Sequence, residues 1–406
     1  MRLPLVSALL TLATTAAAQA PACDPDNGGL KLPTGFCAVL VGERLGNVRH
    51  FAVAPNGDIL AATVGQQGGL HLLRDTTGDG RVDQIIQLFQ GAGSGIVLTA
   101  GAVYFAPNDR VVRIPWRPGA TAPTGPVDTI ASGLPVGGHA AKGLALGADG
   151  GLYVSFGSRT NSCQEKDRQA RSPGLKPCPE LEIRAGIWRL DGRRTGQGST
   201  DAVRFATGLR NPMAMALEPR TGVLYTATHG RDQLTENWEF PAEEGRENPA
   251  EEFGPVVSGA DYGWPYCYYD PRRKVKVVAP EYGGDGRQVG DCARYTQPAV
   301  AFPAHWAPNA VLFSSGSHFP EPWRGGAFIA FHGSWNRGPG PEYQEGYRVV
   351  FAPFRDGKAT GSFETFAVPA AGHNAVRPSG LAMGSDGSLY IGADAQQKIW
   401  RVFYRP

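Results

Sequence analysis

The chain is predicted to be an all-β protein, a six-bladed β-propeller of four-stranded antiparallel blades. Three observations carry this. A motif of apolar strand, turn with Asp or Asn and Gly, apolar strand recurs along the chain. Its first copies place Gly57, Gly101 and Gly150 at intervals close to the roughly 40–50 residues of one propeller blade. Glycine (55) and proline (33) are abundant, which favours short strands and tight turns over long helices.

The clear copies are "HFAVAPNGDILAAT", "GLALGADGGLYVSFG", "MAMALEPRTGVLYTATHG" and "GLAMGSDGSLYIGAD". Two weaker ones, "IVLTAGAVYFAPNDRVVRI" and "WRGGAFIAFHGSWNR", bring the count to six. Outer strands such as "GLHLLRD", "RVVRIPW", "GIWRLD", "YRVVFAPF" and "KIWRVFY" follow several of them. Longer intervals later in the chain require insertions near 159–182 and 232–310. A propeller must hide the seam between its ends. The N-terminal "FCAVLVGERL" is the strand expected to complete the blade that ends in "KIWRVFY". A pair of β-sandwiches is the competing architecture, and the blade-length spacing argues against it.

The first 20 residues, "MRLPLVSALLTLATTAAAQA", have an early Arg, a short apolar run and small residues ending in Ala18-Gln19-Ala20. They read as a secretory signal peptide cut after Ala20, leaving residues 21–406 as one propeller domain in the periplasm or outside the cell. The run is too short and too rich in Thr for a membrane span. Six cysteines in an exported chain read as disulfides. Their three local pairs are Cys23–Cys37, Cys163–Cys178 and Cys267–Cys292. No C-x-x-C-H haem motif occurs. A formal net charge of +2 with no basic run excludes nucleic acid as an evident partner. "DTTGDGRVD" (Asp75 to Asp83) looks like a calcium loop, but Ile86 stands at its twelfth position, so it reads as a surface turn.

In a propeller, residues just before each inner strand and just after the next strand converge on one mouth. "GLRNPMAMALEPRTGVLYTATHGRD" is a hairpin bracketed in this way by Arg210-Asn211 and by His229-Gly230-Arg231. Blade three adds His139 and Lys142 on entry, and Arg159 and Asn161 on exit. Blade five adds His332, Trp335, Asn336 and Arg337; blade six adds His373, Asn374 and Arg377. Such an Arg-, His- and Asn-rich rim suits a planar polyanion, paired through guanidinium groups and stacked on an aromatic face.

With "GLRNPMAMALEP", "HGRDQL", "DYGWPYC", "HGSWNR" and "RPSGLAMGSDGSLY" in this order, nearly the whole mature chain resembles the soluble quinoprotein glucose and sorbosone dehydrogenases. The resemblance implies pyrroloquinoline quinone (PQQ) and Ca²⁺ as cofactors. It implies oxidation of a sugar, aldose or related aldehyde, and electron delivery to an external acceptor such as a cytochrome, a quinone or a dye. By match within "GGHAAKGLALG", His139 takes the place of the catalytic base, and Arg210 with Asn211 that of the Arg-Asn pair at the quinone. The Gly230 and Arg231 carbonyls take the place of the calcium ligands, and Arg377 and Arg337 that of the groups on the cofactor carboxylates. Lys142 and His229 complete the expected cofactor-binding set. Gly138 stands where the glucose branch has an acid, and His229 where it has Gln, which favours the sorbosone-like branch. A calcium-dependent lactonase and a non-catalytic glycan- or protein-binding propeller are the competing functions. The first needs inward carboxylates, and the entries here present His, Arg and Asn instead.

Overall fold

The computed structural model describes residues 22–314, 318–372 and 375–406. Six antiparallel sheets follow one another around a ring. Blade one runs through Asn47–Val53, Ile59–Val64, Gly69–Arg74 and Gln84–Gln90. Blade two starts at Gly93–Leu98, blade three at Leu144–Leu146, blade four at Ala214–Leu217, blade five at Pro308–Phe313 and blade six at Pro378–Met383. Each of these inner strands packs against the next, and the sixth packs against the first. That closure excludes paired sandwiches.

The expected seam forms. Phe36–Gly42 adds to Lys398–Tyr404 as the outermost strand of blade six, so the start of the chain completes the blade that its end begins. Trp400 Nε1 donates to the Gly28 carbonyl at 2.9 Å, and the Cys23–Cys37 disulfide anchors the same strand. The other two expected disulfides, Cys163–Cys178 and Cys267–Cys292, are present as well. The turn glycines Gly57, Gly150 and Gly387 have φ of 89°, 87° and 77°, where an L side chain is strained.

The core lies between blades rather than at one centre. Leu60, Leu70, Leu72, Phe105, Ile114 and Trp116 seal blades one and two, for example. At the axis, His50, Phe51, Ile96, Leu144, Met213, Met215, Ala310, Val311 and Leu381 give every blade a share in a mostly apolar channel lining. The insertions fall where expected. One spans 159–183; the other carries two short helices, Leu234–Trp238 and Ala242–Glu247, and a hairpin of Cys267–Asp270 with Val275–Val278.

Among the described residues no helix is long and apolar enough to cross a membrane. The signal-peptide expectation, and His373 with Asn374, lie outside the described residues. In the Asp75 turn, the Asp75 carboxylate accepts from the amides of Thr77, Gly78 and Gly80, and Asp83 accepts from Thr76. These carboxylates organise the turn itself.

Candidate active site

His139 sits on the loop 135–142 that enters blade three. Its Nδ1 lies 2.9 Å from the Ser158 carbonyl oxygen and 3.0 Å from Ser158 Oγ. That hydroxyl already donates to the Thr160 carbonyl, so both groups facing Nδ1 are acceptors. Nδ1 therefore carries the proton, and the Nε2 lone pair has no partner among the described residues. Burial, then the charge of Arg210, pushes the imidazole down to about 3, so it is neutral at physiological pH. A neutral imidazole of fixed tautomer with a free lone pair is the state a general base needs.

The loop is shaped from beneath. Lys142 is fully buried, and its Nζ donates to the Pro135 and Ala140 carbonyls at 2.8 and 2.6 Å. Arg184 donates to the carbonyls of Val136 and Gly137. Two buried basic side chains thus hold four carbonyls of the segment that presents His139. Gly157 is required opposite it, since a Cβ there would lie 2.6 Å from His139 Cβ and 3.1 Å from Asn211 Oδ1. Burial and the nearby Arg184 push Lys142 down to about 7.

Blade four contributes a buried knot. Arg210 donates through Nε to the Asn161 carbonyl (3.1 Å), through Nη1 to the Gly230 carbonyl (2.7 Å), and through Nη2 to Asn161 Oδ1 and Asp232 Oδ2 (both 3.0 Å). One Nη1 hydrogen remains without a partner among the described residues. Asp232 Oδ2 also accepts from Arg168 at 2.8 Å, and Oδ1 from Asn336 Nδ2 at 2.9 Å. Burial alone would raise this carboxyl, but Arg210, His305 and Arg168 hold it well below the usual range. Asn211 approaches His229, whose Nδ1 is 3.2 Å from the Asn211 carbonyl oxygen. Burial and Arg210 push His229 down to about 4. The Gly230 amide donates to buried Glu251 at 2.8 Å, while the Arg231 guanidinium is locked to Glu281 at 2.6 Å. The Arg231 carbonyl accepts no hydrogen bond among the described residues.

The rim from blades five and six is more open. Trp335 is 66% exposed, a large ring with little protein over it. Arg377 stacks on Tyr347 at 5.5 Å and donates to the His332 and Gly333 carbonyls at 3.0 and 3.2 Å. Three of its N–H groups have no partner among the described residues. His332 Nε2 meets Asp394 Oδ1 at 2.7 Å, and Arg49 meets Asp394 Oδ2 at 3.0 Å.

The structure brings His139, Arg210, Asn211, His229, Gly230 and the Arg231 backbone together, with Arg377 on the facing rim. Two expectations need correction. Lys142 is no rim cation, because its ammonium is enclosed beneath the His139 loop. Arg337 is no carboxylate clamp: it is 6% exposed and donates to the carbonyls of Ala304, Arg246 and Tyr343 and to Glu247. Trp264 is core, donating to the Asn161 carbonyl. The sequence reading missed Asp232, Asp394 and Arg49. Asp394 directly follows the second strand of blade six as His229 follows that of blade four, so the repeat register alone could have located it.

The closed ring of six four-stranded blades defines the chain as a six-bladed β-propeller. The chain belongs to the TrAA12-like family, whose sequence model matches residues 30–405. The PQQ domain of the pyranose dehydrogenase from Coprinopsis cinerea, in its holo form, superposes with a TM-score of 0.75 at 19% identity, covering 92% of this chain and 97% of that one. A calcium structure of a family AA12 carbohydrate-active enzyme from Trichoderma reesei gives 0.75 at 20%, covering 93% and 97%. In sequence, the PQQ-dependent pyranose dehydrogenase of Coprinopsis cinerea is 25% identical over 171 residues, 34% of this chain and 22% of that protein. The chain spans less than half the length of the curated relatives it matches.

Proposed function

We propose that this chain is an exported PQQ- and Ca²⁺-dependent dehydrogenase. It oxidises a sugar, or an aldehyde of the sorbosone kind, and passes electrons to an external acceptor. The observation that carries the reading is His139: a neutral imidazole with its tautomer fixed by Ser158 and its Nε2 free, beside a buried arginine.

The residues present fit the two groups. The exposed Trp335 ring and the free N–H groups of Arg377 suit a planar, carboxylate-bearing cofactor. Among the described residues no cluster of three His, Cys, Asp or Glu side chains could hold a metal. A cation here would rest on neutral oxygens such as the Arg231 carbonyl, which suit Ca²⁺, whereas the expected Gly230 carbonyl already accepts from the Arg210 guanidinium at 2.7 Å. The lack of a carboxylate cluster also weighs against the lactonase. When bound, PQQ supplies a two-electron acceptor and Ca²⁺ a Lewis acid.

His139 Nε2 accepts the substrate hydroxyl proton, while Ser158 holds the ring in place. Arg210 keeps its charge because Asp232 faces it, and its remaining Nη1 hydrogen is available to developing negative charge. Arg377 and Trp335 bind and orient from the opposite rim. His229 in place of Gln and Gly138 in place of an acid support the sorbosone-like branch. The three disulfides support export; N-terminal sequencing of the secreted protein should begin at Pro21.

The test is reconstitution. Metal-free mature protein receives PQQ, Ca²⁺ or both, and dye reduction is followed with a panel of aldoses and sorbosone, His139→Ala running alongside. Activity that needs both additions and is lost in the variant supports the reading. Absence of PQQ uptake in the absorption spectrum overturns it in favour of a non-catalytic binding propeller.

A further inference from the structure

Oxidation of an alcohol carbon breaks one C–H and one O–H bond, forms C=O, and releases two electrons and two protons. With a one-electron acceptor such as a cytochrome, the electrons leave without their protons. His139 accounts for one proton only, so a second proton must also find its way out of the mouth.

A second histidine stands on the rim. His332 ends the second strand of blade five, at the position His229 follows in blade four. Its Nε2 is bound to Asp394 Oδ1 at 2.7 Å. Asp394 in turn is fixed by Arg49 Nε at 3.0 Å, by the Ala395 amide at 2.7 Å, and by its own amide donating to Ser379 Oγ at 3.1 Å. Three blades thus supply one chain: Arg49 from blade one, Asp394 from blade six, His332 from blade five. With Nε2–H donated to the carboxylate, Nδ1 bears the lone pair. Nδ1 has no partner among the described residues, and 18% of the side chain is open to solvent.

We propose, resting on the dehydrogenase reading above, that the Arg49–Asp394–His332 chain is the second proton carrier of this mouth. His332 Nδ1 takes up the proton released as electrons pass to the acceptor and hands it to solvent. Asp394 stabilises the imidazolium formed, and Arg49 keeps Asp394 ionised. A rim hydrogen bond kept only for structure would need no Arg49 behind the carboxylate and no open Nδ1.

The charged and titratable groups facing His332 are Asp394, Arg377, Arg49 and His229. Burial lowers His332, and Asp394 opposes that fall, whereas His139 goes down to about 3 with no carboxylate in contact.

The experiment has two arms. In the protein without cofactor, histidine ring signals are titrated by NMR, with His332→Gln giving the assignment. Asp394→Asn should move the His332 midpoint to lower pH and leave that of His139 in place; an unmoved His332 midpoint overturns the proposal. In reconstituted enzyme, single-turnover and steady-state rates are compared across pH 5–9. Asp394→Asn and His332→Gln should slow acceptor-dependent turnover by about 10²-fold, the scale of a lost general acid–base group, and should reshape its pH profile. His139→Gln should instead strike the first turnover. Equal slowing of both stages by the rim variants, or a steady-state pH profile like the wild type's, overturns the proposal. Arg49→Gln, with the weaker loss expected of a residue acting through Asp394, covers the case in which a rim variant fails to fold. If the wild type oxidises no sugar, the dehydrogenase reading fails on its own, and the titration arm still decides whether Asp394 governs His332.

Discussion

Arg210 and Arg377 belong to the same mouth and the same residue type, yet their surroundings differ. Arg210 is buried, faces Asp232, and has four of its N–H groups committed to protein. Arg377 lies half-buried on Tyr347 with only two of its N–H groups bonded, both to carbonyls. The blade-three and blade-four side of the mouth is a preassembled knot, and the blade-five and blade-six side is an open clamp. The contrast separates two tasks that one motif list merges: holding the reacting geometry, and receiving a ligand.

Breaking the knot should have the largest effect. Asp232→Ala leaves Arg210 and Arg168 without their carboxylate, and removing one partner from a buried pair costs about 3–5 kcal/mol. Chemical denaturation should show that loss, together with loss of turnover. Lys142→Met sharpens the comparison, because it removes the donors under the His139 loop and keeps the volume. We expect kcat to fall by about 100-fold, the penalty of a small misplacement of a reacting group. The thermal midpoint should hold or rise, since an apolar side chain replaces a buried charge. On the clamp side, Trp335→Ala should leave stability within about 0.5 kcal/mol of wild type. PQQ titration should show about tenfold weaker binding, as loss of one aromatic contact predicts.

The last prediction concerns pH. His139 binds a proton near 6.5 when unfolded and only near 3 when folded. The unfolded chain therefore holds more protons between these values, and stability falls as pH drops from about 6.5 toward 3. His139→Gln should remove this share, so its thermal midpoint should decline less than the wild type's between pH 7 and pH 4.

Much of this was legible in the sequence. Apolar runs around glycine turns, Asn-Gly or Asp-Gly in three of them, located five of the inner hairpins; in blade five the motif began at Trp323 and held only the second strand, Ala327–His332, not the inner strand Pro308–Phe313. Local cysteine spacing paired the disulfides, and the unmatched strand "FCAVLVG" identified the seam. The mouth residues before inner strands, His139, Arg210 and Arg377, followed from the same register. What failed was direction. Lys142 and Arg337 occupy rim positions in sequence, but whether a long side chain reaches outward or turns back onto carbonyls depends on loops 135–140, 242–248 and 341–345. Their paths are set by tertiary contact and by left-handed glycines such as Gly137 and Gly138. Asp232 was passed over because one carboxylate among arginines reads as a surface ion pair until its burial is known. Asp394 follows the second strand of blade six and Arg49 lies within the inner strand of blade one, so only ring closure brings the two together beside His332.

The seam strand also dictates when this ring can exist. Phe36–Gly42 waits for Lys398–Tyr404, so a contact near the start of the chain depends on residues near its end. Pairings this distant in sequence are slow to form, because loop closure precedes their reward. A chain secreted from its N-terminus would expose an unpartnered strand until its last residues arrive. The ring thus closes only once both strands are present, and shortening the C-terminus by a few residues should leave five blades with a permanently sticky sixth.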